Sequence, residues 1–255
     1  MATERIDTVE NYFNRVSQIS TVSSVLFWLS VICSFAVFFT GKNVDINNLM
    51  NILFILITIL YFVFSNWLSI FSLREAQNKR RIHLLSDSLG IKLDDEETNL
   101  YYNNSQSPSI LRLGMNVFEN SLFTLRVTER MCKLERVKVL LYIIIWFLLI
   151  LLRDTNLNFI AIVAQTIFTT GLVVSWVKLE VLRHSCGQIF NEFRQIFLTN
   201  GLKANKKATS IILNLVFRYE TTVASMGIHL SSKIFHGINS SVSEEWETVK
   251  RNTNI

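Results

Sequence analysis

Hydrophobic and polar positions separate along this chain into long blocks. No charge falls between Arg15 and Lys42, and the core of that stretch, Val22 to Thr40, matches the roughly 20 apolar residues a helix needs to cross a bilayer. Ile46 to Leu73 is also uncharged. At ~1.5 Å per residue it exceeds a ~30 Å hydrocarbon core, so its end is expected to project as a helical stalk. Val139 to Leu152 is the most apolar run but is short. Snorkelling by Lys138 and Arg153 permits a spanning helix there, although a run of this length also suits a buried or interfacial segment. Thr155 to Val177 follows after a very short loop, so the third and fourth blocks are expected to form a helical hairpin.

The polar segments carry helical periodicity. Ile6, Val9, Phe13, Val16 and Ile19 recur at three- and four-residue steps, predicting a cytoplasmic amphipathic helix over residues 1–20. Residues 21–73 hold the first two spans. In the insert 74–138, the stalk helix is expected to stop near Gly90, an acidic and polar loop follows, and Pro108 and Ser109 mark the next helix start. Residues 139–177 hold the other two spans. In the tail 178–255, a cap is expected at Asn200 and Gly201, then one long helix to about Gly237, then a short capped helix from near Ser243. No strand-like region or repeat is visible. The expected fold is all-α, an integral membrane protein with four transmembrane helices extending into a cytoplasmic helical bundle.

Composition sharpens this picture. Half of the residues are hydrophobic and only 18% are charged, against about 25% in soluble domains. Lys and Arg number eleven from Arg74 to Lys138 and ten from Lys178 onward, with one in each of the two short loops. The positive-inside rule then places both termini in the cytoplasm. The polar residues ahead of the first block, and the lack of a small-residue cleavage site, suit a retained helix better than a signal peptide. Cys33, Cys132 and Cys186 are widely spaced, which predicts neither a disulfide nor a zinc site.

Gly-rich phosphate loops, a GxSxG elbow, an HExxH helix and a GxGxxG fingerprint are all absent, so neither an enzyme nor a cofactor is expected. His83, His184, His229 and His236 lie on separate amphipathic stretches and read as structural. The most informative pattern is polar: Asn51, Thr58, Ser65 and Ser72 recur every seven residues in the second block, joined by Ser69. Gln165 and Thr169 continue the theme in the fourth block, and Ser23, Ser30 and Ser34 in the first. Such residues either hydrogen-bond a neighbouring helix or line water, and lining a pore would require a homo-oligomer. Arg74, Lys79, Arg80 and Arg81 follow at the cytoplasmic end of the same helix, and Lys203, Lys206 and Lys207 stand in the tail. These suit phosphate-rich ligands or anionic headgroups, or serve only as a topology signal. Tyr101 and Tyr102 are candidates for base stacking, or plain loop aromatics.

The stalk REAQNKRRIHLLSDSLGI (74–91), the segment YYNNSQSPSILRLGMNVFENSLFTLRVTERM (101–131) and the terminal SEEWE (243–247) carry a further observation. With the paired-span layout, they resemble the four-transmembrane SMODS-associated pore-forming effectors of bacterial antiphage operons, and a Hailong-type effector is a related possibility. The resemblance in layout covers nearly the whole chain. It implies an inner-membrane effector controlled by a cyclic nucleotide or a single-stranded oligonucleotide from a partner nucleotidyltransferase. The alternative is a non-conducting membrane scaffold that recruits partners through its cytoplasmic helices.

Overall fold

The computed structural model describes residues 8–96, 102, 104, 106–151, 172–200, 205–253 and 255. Every regular element among them is helical: α1 (Val9–Phe39), α2 (Val44–Trp67), a π turn (Leu68–Ser72), α3 (Leu73–Leu89), α4 (Ile110–Leu151), α5 (Leu172–Asn200), α6 (Lys206–Met226) and α7 (Ser232–Thr253).

The first two apolar blocks form a helical hairpin. The Asn43 side chain caps α2 by accepting from the Ile46 N–H, and the Asn47 amide donates to the Val37 carbonyl across the turn at 2.8 Å. The expected amphipathic helix is not a separate piece. It runs into the first apolar block as one 31-residue helix, because no Gly or Pro interrupts it. Its start lies on α3, where Val16 packs with Leu73 and Ala76.

Two helical stretches, Val9–Val37 and Val44–Leu89, are long and apolar enough to cross a membrane. No residue of the second's apolar window is fully buried. Ile52, Ile55, Leu56, Ile59 and Phe62 are each more than half exposed, an outward surface that suits lipid or a protein partner. The apolar end of α4 resembles it, with Leu140, Leu141, Phe147 and Leu148 exposed. Most of the fourth block lies outside the described residues.

The remaining helices close a bundle beyond the membrane-compatible hairpin. Phe118 of α4 is fully buried at its centre, with the rings of Phe190, Phe193 and Phe197 of α5 at 5.0–5.7 Å and Trp246 of α7 edge-on at 5.1 Å. Gly114 lets α6 approach α4: a Cβ there would lie 2.5 Å from Ile212 Cγ2.

Helix boundaries agree with the expectations at one end of the bundle and depart from them at the other. Gly90 ends α3 in the left-handed region (φ 66°), and the Ser109 hydroxyl accepts from the Arg112 N–H at the start of α4. In the tail, the helix expected to reach Gly237 stops at Met226, where Gly227 turns left-handed (φ 59°). The last helix begins at Ser232 rather than near Ser243, with the Ser231 hydroxyl accepting from the Ile234 N–H. Gly237 lies inside it. A glycine conformation and a serine cap therefore outweigh the apparent continuity of the apolar pattern.

Candidate functional site

The polar stripe of α2 faces α1. Asn51, Thr58, Ser65 and Ser72 are half-buried, and α1 is the helix that α2 packs along. The facing side of α1 presents Ser23, Ser30 and Ser34, all buried. Several stripe groups are satisfied within their own helix: the Asn51 amide donates to the Asn47 carbonyl at 2.9 Å, and the Thr58 hydroxyl to the Phe54 carbonyl at 2.7 Å. Such back-bonding satisfies these two donors within α2 and leaves their oxygens able to accept. The π turn, where the Leu73 N–H reaches the Leu68 carbonyl, then shifts the register, leaving Ser69 exposed and Ser72 half-buried. Gln165 and Thr169 lie outside the described residues.

Most of the basic stalk is committed to carboxylates of the same chain. Nη2 of Arg80 donates to both oxygens of Glu220 at 2.9 and 2.7 Å, and Nε of Arg81 to one of them at 3.2 Å. Glu220 is 8% exposed, so two guanidinium groups converge on a buried carboxylate and join α3 to α6. Arg80 also lies over the Tyr219 ring, whose hydroxyl hydrogen-bonds Thr124 at 2.8 Å, extending the junction to α4. Burial pushes the Tyr219 phenol above its usual range.

Lys79 joins Asp94 at 2.6 Å and Glu96 at 3.3 Å, and the Tyr12 hydroxyl donates to Glu96 at 2.7 Å. Hydrogen bonding to Asp94 holds the Lys79 ammonium above its ordinary range, and the Tyr12 hydrogen bond lowers the Glu96 carboxyl. The acidic segment read as a loop is thus the counter-charge of the stalk. It also ties the start of α1 to α3.

The predicted ligand residues do not converge. Arg74 is exposed at the start of α3, whereas Lys206 and Lys207 are exposed in the first turn of α6. They are 14 and 13 residues before Glu220, a separation of roughly 20 Å along the helix. Tyr102 is 8% exposed and belongs to the bundle core, so its ring is spent on packing and offers no exposed stacking platform. Tyr101 and Lys203 lie outside the described residues.

A cavity that sequence spacing did not reveal adjoins the Arg80 junction. It has a volume of about 570 Å³ and is lined by all of the helices except α2 and α5. Val9 and Phe13 of α1, Phe123 of α4 and Phe235 of α7 supply apolar walls, while Gln77 and Asn120 bring amides. Gln77 is 7% exposed, and among the described residues neither its side chain nor the buried Asn120 amide nitrogen has a hydrogen-bond partner. Mixed apolar walls with a few unspent polar groups suit a small amphipathic ligand. Its residues are scattered from position 9 to position 239, so no linear motif could have disclosed it.

Among the described residues no His, Cys, Asp and Glu cluster is arranged to hold a metal ion. His83 is buried, and desolvation lowers the His229 pKa. Comparisons with protein-family models, curated proteins and solved structures give no significant match.

Proposed function

We propose that this protein is a ligand-controlled, oligomeric membrane effector, with four spans and cytoplasmic termini, that forms a pore when α1 is displaced from α2. One observation carries the reading: α1 contributes Val9 and Phe13 to the cavity and, further along the same continuous helix, covers the polar stripe of α2. Occupation of the cavity has a direct mechanical route to the stripe. With α1 seated, the stripe is covered and the pathway closed. Displacement of α1 exposes Asn51, Thr58 and Ser65 to equivalent stripes from other copies around an oligomer axis.

The resemblance to antiphage effectors adds a setting. The proposed protein is held closed in the bacterial inner membrane, and a cyclic nucleotide or oligonucleotide alters its state. No catalytic step is part of this reading. A non-conducting scaffold is the second reading, favoured by the commitment of Lys79, Arg80 and Arg81 to carboxylates of the same chain.

Reconstituted liposomes separate the two. Ion flux or planar-bilayer current that appears or disappears with added cyclic nucleotide or oligonucleotide, and changes in Thr58→Leu or Asn51→Leu, supports the effector. Absence of current with every such ligand, from protein shown to be folded and inserted, leaves the scaffold.

A further inference from the structure

A second cleft, about 480 Å³ in volume, lies between α4, α5 and α7. Its wall carries Arg126, Arg130, Lys133 and Arg136 from α4 and Arg183 from α5, against Glu129 and Glu245. The ion pairs divide these charges unequally. Arg126 binds both Glu129 and Glu245, while Arg136 and Arg183 share Glu180. Arg130 and Lys133 are exposed and make no ion pair among the described residues. They lie three residues apart, on one face of α4. The adjacent Cys132 thiol is buried, and desolvation pushes it up to about 11, so it adds no negative charge at neutral pH.

The position of the cleft narrows the ligand. Lys133 precedes Val139, the first residue of the third apolar block, by six residues, an axial rise of roughly 9 Å. A bilayer's headgroup zone adds roughly 5–8 Å to each side of its hydrocarbon core, so a snorkelling lysine here reaches phosphate depth. A topology signal alone needs cations near the span but no cleft. Here two cations that make no ion pair among the described residues stand in a cleft formed by three helices.

We infer that this cleft binds a phosphate oxyanion through Arg130 and Lys133, presented either by an acidic phospholipid headgroup or by a soluble phosphate-bearing molecule. The inference is independent of conduction by the spans and of occupation of the cavity near Arg80.

The test is thermal unfolding of the full chain in neutral detergent, titrated with dioctanoyl phosphatidylglycerol, dioctanoyl phosphatidylcholine or inorganic tripolyphosphate. The anionic lipid, or tripolyphosphate if the source is soluble, is expected to raise Tm, and phosphatidylcholine is not. The double variant Arg130→Gln/Lys133→Gln is expected to raise the half-saturating concentration on the order of thirtyfold at low salt. Both residues are exposed, so folding is retained. Lys206→Gln/Lys207→Gln, which removes two exposed charges elsewhere, is expected to change nothing. Stabilisation by neither anion, or equal weakening in both double variants, overturns the site.

Discussion

At the scale of the residue, burial changes the chemistry of Glu119 more than sequence can reveal. Desolvation raises its pKa to about 7; Lys250 opposes the shift and Glu247 adds to it. The folded state therefore holds this proton more tightly than the unfolded chain, whose reference value is 4.5. Stability contributed by the protonated form is fully present below the unfolded value and is lost as pH rises to about 7, with no further loss above it. The total change is about 3 kcal/mol at most, given partial screening by water. Unfolding curves from pH 5 to pH 8 are expected to show this decline in the native protein and a flatter profile in Glu119→Gln. Identical slopes would remove the assignment. The local sequence around Glu119 does not disclose the opposed charges on α7.

Elements depend on close approach as much as on pattern. Gly114 and Gly187 both lie inside long helices, and each forfeits roughly 1 kcal/mol of helix propensity relative to alanine. Their surroundings differ. A Cβ on Gly114 meets Ile212 at 2.5 Å, whereas one on Gly187 meets Leu125 at 3.6 Å, an ordinary contact. Overpacking costs about 1–3 kcal/mol, so Gly114→Ala is expected to lower stability and Gly187→Ala to raise it by up to about 1 kcal/mol. Denaturant melts of both variants check the contrast, and a matched response would contradict it. The stop at Gly90 and the start at Ser109 were legible because each uses local backbone chemistry. The break at Gly227 was equally local but was hidden by an apolar pattern that continues through it.

For the whole molecule, the convergence of Arg80 and Arg81 on Glu220 joins the stalk to the bundle. Removing one partner of a buried ion pair leaves uncompensated charge, at a cost of about 3–5 kcal/mol. Glu220→Gln is expected to lose stability on the lower side of that range, because Arg81 remains partly solvated. In liposomes the same variant is expected to weaken its response to ligand, since the link from α3 to α6 beside the cavity is lost. Stability and response both equal to the native protein's would show that this junction carries no coupling.

The order of helices and the two membrane-compatible stretches follow from the sequence itself. Helix periodicity, uncharged length and glycine or serine at helix ends act over a few residues, so they survive without knowledge of the fold. The polar stripe was legible for the same reason, as a seven-residue repeat on one helix. Its covering by α1 was decided only by tertiary packing, as were the pairing of the stalk arginines with Glu220 and the separation of Lys206 and Lys207 from them. The cavity near Arg80 and the cleft at Arg130 also belong to the fold, because each collects residues from at least three helices. A charge in sequence has a sign and a neighbourhood of a few residues. Its partner, its burial and hence its availability to a ligand arise only when distant helices meet.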